Sequence, residues 1–196
     1  MGLFDIFSKK TDVQYFTDGV NFAKNSQHVK AVDSFDKALA IKPDYSQAWV
    51  WRGMALDSLE RRGEALASYD KAIAIDPNSA SAWYSRGFTL SGLKQYSEAV
   101  SSYDKVLAIK PDLMDAWDGR GVALNNLGRY GEAIVSYDKA IAINPNDDIA
   151  WYNRGIALDN IGNNKEAVIS FDRAIAINPN NADARHNREI TFKKIT

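Results

Sequence analysis

The stretch AWVWRGMALDSLERRGEALASYDKAIAIDP, Ala48 to Pro77, decides the fold, because most of the chain repeats it. Advancing it by 34 residues carries Trp49 onto Trp83, Trp117 and Trp151. The same step carries Pro43 through Pro77, Pro111 and Pro145 to Pro179, which accounts for all 5 prolines. Gly53, Gly87, Gly121 and Gly155 keep the step, as do Tyr69, Tyr103, Tyr137 and Phe171. A period of this length marks an array whose units bury their apolar faces on their neighbours.

Within each period apolar residues recur twice at helical spacing, as in Trp83, Gly87, Leu90, Leu93 and then Ala99, Tyr103, Val106. That pattern predicts two amphipathic helices per unit, each of roughly 13 to 14 residues, about 20 Å long. Five units follow, 12–45, 46–79, 80–113, 114–147 and 148–181. The residue after each proline, Asp44, Asn78, Asp112, Asn146 or Asn180, has the side chain of an N-cap for the next helix. Residues 182–196 begin like a sixth first helix but place Arg185 where tryptophan belongs, and read as a polar capping helix.

The set Trp49, Gly53, Ala65, Tyr69, Ala72 and Pro77 resembles the tetratricopeptide repeat, a helix-turn-helix unit of 34 residues. The resemblance extends over residues 12–196, with a degenerate first unit that puts Tyr15 in the place of tryptophan. It implies an all-α, right-handed α-solenoid whose first helices line a concave, peptide-binding groove. Gly53 and Ala65 would let two helices approach, and Trp49 and Tyr69 would fill the space between units.

Composition narrows the function. A formal net charge of -1 gives no basic excess, so nucleic acid is not an expected partner. Zero cysteines exclude disulfides, thiolate metal sites and a cysteine nucleophile. No apolar run reaches the ~18 to 20 residues of a membrane span, and no basic-then-apolar leader opens the chain, so the expected setting is cytoplasmic. His28 and His186 fall in different helices and in no metal-ligand pattern. The glycines lie inside helices, so none forms a phosphate loop. The expectation is a non-enzyme with no catalytic, cofactor or metal residues.

Charge placement carries one further reading. The seventh position of the units, usually leucine in the family, is Arg52, Arg86, Arg120 and Arg154, with Arg188 in the cap and Asp18 in the first unit. Asp36, Asp70, Asp104, Asp138 and Asp172 keep the same period. Pairing within a unit would set Asp36 beside Asp18 and strand Arg188, whereas pairing each Asp with the Arg of the next unit uses all of them. The sequence therefore predicts a ladder across unit boundaries.

The face opposite the inward side of the first helices would ordinarily be polar. Here it holds Phe16, Val50, Met54, Tyr84, Phe88, Tyr152 and Ile156, with Trp51 at its edge and Asp57, Asp115, Asp118 and Asp159 among them. Gly119 is read as leaving room for an incoming side chain. These residues make the expected groove of a protein-protein interaction scaffold, taking an apolar segment with a Lys or Arg near Asp115 and Asp118. The alternative is a structural protein whose copies associate through the array ends or the N-terminal extension, residues 1–11. That extension crowds Leu3, Phe4, Ile6 and Phe7 beside Lys9 and Lys10, the make-up of a cap, a docking peptide or a weak membrane contact.

Overall fold

A computed structural model describes residues 10–196, which form 11 α-helices and no strand. In chain order these are α1 (Asp12–Lys24), α2 (His28–Ile41), α3 (Ser46–Ser58), α4 (Arg62–Ile75), α5 (Ala80–Gly92) and α6 (Tyr96–Ile109). Then come α7 (Met114–Asn126), α8 (Tyr130–Ile143), α9 (Asp148–Asn160), α10 (Asn164–Ile177) and α11 (Ala182–Phe192). Helices of 13 and 14 residues alternate as far as α10, matching the expected lengths. The readings of the extension as a cap, a docking peptide or a membrane contact rest on Leu3, Phe4, Ile6 and Phe7, which lie outside the described residues.

The chain forms two compact units, one ending at Thr89 and one running Leu90–Thr196. In the first, Phe35 and Tyr69 are buried with Ala31, Leu56 and Ala65, and Phe16 and Trp51 pack against them. In the second, Leu158, Ala167 and Phe171 form a comparable cluster flanked by Tyr152 and Ile156. The repeated glycines make room for these rings. A Cβ on Gly121 would stand 2.6 Å from Tyr137 Cε1, and one on Gly155 would stand 2.5 Å from Phe171 Cε1.

The interhelix corners differ from the sequence expectation. Pro43 and Asp44 form the turn itself, and the N-cap of α3 falls one residue later, at Tyr45. Leu113, Asp147 and Asn181 take the corresponding place before α7, α9 and α11. The residue after proline instead donates its backbone N–H to the side chain before it, at 3.1 Å each: Asn78 to Asp76, Asn146 to Asn144 and Asn180 to Asn178. Such a local side-chain bond competes with capping for the same short polar residues. Each repeat tryptophan then donates its indole N–H to the preceding proline carbonyl, Trp49 to Pro43 at 2.9 Å and Trp117 to Pro111 at 2.8 Å. Trp83 and Trp151 do the same to Pro77 and Pro145, at 3.0 Å.

The ladder is present at all five steps. Arg52 Nε donates to Asp36 at 2.6 Å, Arg86 to Asp70 at 2.8 Å and Arg120 to Asp104 at 2.6 Å. Arg154 donates to Asp138 at 2.6 Å and Arg188 to Asp172 at 2.9 Å. The guanidinium also reaches a buried serine on the following helix: Arg52 to Ser68 at 2.8 Å, Arg120 to Ser136 at 2.8 Å and Arg154 to Ser170 at 2.7 Å. One side chain on α3 thus ties α2 to α4. Asp18, standing where the first unit lacks this arginine, pairs with Lys10 instead.

Candidate peptide-binding surface

In the first unit α3 and α5 face each other across a cavity of about 270 Å³, lined by Met54, Asp57 and Ser58 from α3 and by Tyr84, Ser85 and Phe88 from α5. Tyr69 of α4 closes its floor. Phe88 is 65% exposed and Met54 43% exposed, so two large apolar side chains stand at the mouth. A second cavity of about 160 Å³ adjoins it, sharing Met54 and Ser58 and bordered by Ala23, Lys24, His28, Trp51 and Ala55. Five residues expected on this face, Trp51, Met54, Asp57, Tyr84 and Phe88, therefore line two neighbouring depressions.

Asp57 is the charged group in the larger cavity. Its Oδ2 accepts from the Tyr69 hydroxyl at 2.8 Å and from the Thr89 hydroxyl, while its Oδ1 is buried with no hydrogen-bond partner. Burial, then the Asp57 charge, pushes the Tyr69 hydroxyl well above the usual tyrosine range, so Tyr69 remains a donor. Neither hydroxyl partner was legible in the sequence: the 34-residue step takes Asp57 to Ser91, Asn125 and Asp159, so an aspartate there was no departure from the pattern.

Other expected residues fall elsewhere. Val50 is a correction: it is 5% exposed and packs with Ala72 and Ala82, because α3 is covered on two sides and its buried arc is wider than one apolar stripe. Phe16 is half-buried, its ring 5.9 Å from Phe35 and 4.9 Å from Tyr45, and belongs mainly to the core.

In the second unit the acids divide. Asp115 is exposed. Asp118 is half-buried, and burial, with Asp147 and Asp115 alongside and a hydrogen bond to Asp147, pushes its carboxyl up to about 7. Asp147 is committed as the N-cap of α9, accepting from the N–H groups of Ile149 and Ala150, so the proton resides on Asp118. Asp159 is not a free groove charge: it accepts from Lys194 at 2.7 Å and from Thr191 at 3.1 Å. Tyr152 lies with its ring 6.0 Å from Phe171 and its hydroxyl accepting from Asn187 at 3.1 Å, and Ile156 packs on the same cluster. Gly119 offers no entrance, since a Cβ there would stand 2.5 Å from Tyr103 Cζ; the tyrosine ring fills the space. Among the described residues no group of His, Asp and Glu could hold a metal ion, and no helix is long and apolar enough to cross a membrane.

Antiparallel helix pairs, first helices starting every 34 residues and an aromatic-and-glycine core define an all-α helical-repeat protein of the solenoid class. The chain belongs to the tetratricopeptide repeat family. A TPR repeat model matches residues 58–94 and 121–162, and tetratricopeptide repeat models match 80–113 and 149–181. Among solved structures it is similar to YrrB, a TPR protein with an unusual peptide-binding site. That match has 22% identity, 91% of this chain and 92% of the other covered, and a TM-score of 0.82. It is similar also to MamA, with 23% identity, 88% and 94% covered and a TM-score of 0.81. MamA from Desulfovibrio magneticus RS-1, residues 41 to the end, shows 19% identity, 87% and 97% covered and a TM-score of 0.82. No curated protein sequence matches the chain. The fold is that of a protein-protein interaction scaffold with protein or peptide partners.

Proposed function

We propose that the chain is a non-catalytic, cytoplasmic scaffold that binds an apolar, partly basic peptide segment on the exposed faces of its first helices. The observation that carries this reading is the cavity between α3 and α5, open to solvent and walled by the exposed Met54 and Phe88. Exposed aromatic surface around a depression is what a peptide anchor needs and what an isolated helix pair does not. On the second unit Asp115 and Asp118 would meet a Lys or Arg, with Asp115 the stronger contact because Asp118 holds a proton near neutrality.

Panning a random-peptide display library against the intact chain and against Phe88→Ala tests the proposal. The intact chain is expected to enrich peptides with apolar or aromatic anchors, and Phe88→Ala to weaken them by about 2 kcal/mol. Phe88 is exposed, so the variant should fold. Absence of enrichment, or equal binding by the variant, would remove this surface from consideration; cell fractionation checks the cytoplasmic setting.

A further inference from the structure

We infer that the cavity between α3 and α5 is a lysine subsite: a partner lysine enters past Phe88 and brings its ammonium up to the Asp57 carboxylate. This rests on the peptide-binding reading and specifies its ligand. The first argument is size. At about 270 Å³ the cavity falls below the ~300 to 1,000 Å³ typical of pockets for drug-sized molecules, and suits one long side chain.

The second argument is chemistry. The walls are Met54, Phe88 and the rings of Tyr69 and Tyr84, and the one charged residue lining the cavity is Asp57. Apolar walls leading to a carboxylate match an aliphatic stem that ends in a cation, and aromatic faces attract that cation further. The third argument is satisfaction. Oδ2 already accepts two hydroxyls, and Oδ1 is buried without a partner, so the carboxylate charge is only partly compensated and a cation brought beside it is stabilising.

The same count separates lysine from arginine. A guanidinium gains its advantage by gripping both carboxylate oxygens at once, and here one oxygen is taken. A compact ammonium acts as a point charge and needs no such two-oxygen grip. The adjoining cavity, edged by Lys24, repels a second cation and leaves Trp51, Met54 and Ala55 to hold an apolar neighbour of the lysine. Charge thereby fixes the direction in which the segment lies.

The test is a positional-scanning library of acetylated octapeptides, each position fixed in turn as Lys, Arg, Gln, Glu, Leu or Phe, titrated by fluorescence anisotropy. At one position Lys pools are expected to bind roughly tenfold or more tightly than Gln pools, with Arg no better than Lys and Glu weakest. Asp57→Asn should level Lys and Gln while keeping the Leu and Phe preference elsewhere. If Asp57→Asn fails to fold, lysine against acetyl-lysine at that position on the intact chain carries the test, since acetylation keeps the stem and removes the charge. No preference for Lys over Gln or acetyl-lysine, or a preference surviving Asp57→Asn, overturns the lysine subsite; a retained, Phe88-dependent apolar preference would then leave the peptide-binding reading standing. Binding by no pool would overturn both.

Discussion

Tyr137 is almost wholly buried, and the volume it occupies exists only because residue 121 has no side chain. Gly121→Ala would force a Cβ to 2.6 Å from the ring, whose surroundings cannot retreat, and is expected to destabilise by about 1 to 3 kcal/mol in urea denaturation. Gly131, in α8 with nothing within 4 Å of its missing Cβ, is the control; alanine there should stabilise by several tenths to about 1 kcal/mol. Asp118 gives a pH-dependent outcome. Its folded carboxyl is raised from 3.8 to about 7, so the folded state holds the proton more firmly, and its contribution is full below pH ~4 and lost as pH rises through ~7. Asp118→Asn is therefore expected to melt higher than the parent at pH 8, by about 1 to 2 kcal/mol after allowing for solvent screening, with the gap closing toward pH 4. Equal melting curves at both pH values would show that the carboxyl is not strained by its neighbours. At this scale the sequence was only partly legible: the recurrence of Gly121 and Tyr137 announced their contact, but a missing side chain at 119 looked like an entrance when Tyr103 had already taken the space.

Arg120 joins three helices, since it lies on α7 and bonds Asp104 of α6 and Ser136 of α8. The two bonds differ in setting: Asp104 is 52% exposed, whereas Ser136 is fully buried. Solvent screening at the carboxylate limits the first, so a double-mutant cycle of Asp104→Ala and Arg120→Ala should give a coupling of about 0.5 to 1 kcal/mol. The cycle of Arg120→Ala with Ser136→Ala should give as much or more, because losing the guanidinium takes away the donor from a buried hydroxyl oxygen whose own hydrogen goes to the Glu132 carbonyl. Zero coupling in both would mean that the bonds form without holding the helices. The Asp–Arg rungs were legible because charges had to pair without remainder. The serine rungs were less legible, because a hydroxyl carries no charge that demands a partner, although Ser68, Ser102, Ser136 and Ser170 keep the 34-residue step as faithfully. The corners escaped for another reason: proline ends a helix, but the turn after it uses two residues, so capping passes to the residue beyond.

At the scale of the whole chain, α11 is held on the second unit by bonds to α9 and α10 rather than by polarity alone. Asn187 meets Tyr152, Thr191 and Lys194 meet Asp159, and Arg188 meets Asp172. The groove acid and groove tyrosine expected from the sequence are thus the attachment points of the last helix, which the polar look of residues 182–196 concealed. Ending the chain after Asn181 removes these four bonds. At about 1 kcal/mol each they total about 4 kcal/mol, which lowers the melting temperature of a chain this long by roughly 8 to 16 °C. The same truncation uncovers the faces of α10 and α9 on which α11 packs, a surface shaped to receive a helix. With no helix of its own to fill it, a truncated copy is expected to associate with others, and its light scattering should rise with concentration while the intact chain's stays flat. If the truncated chain melts within 2 °C of the intact one and scatters identically, α11 is an appendage to the array; if the intact chain scatters as steeply, association runs through surfaces that α11 does not cover.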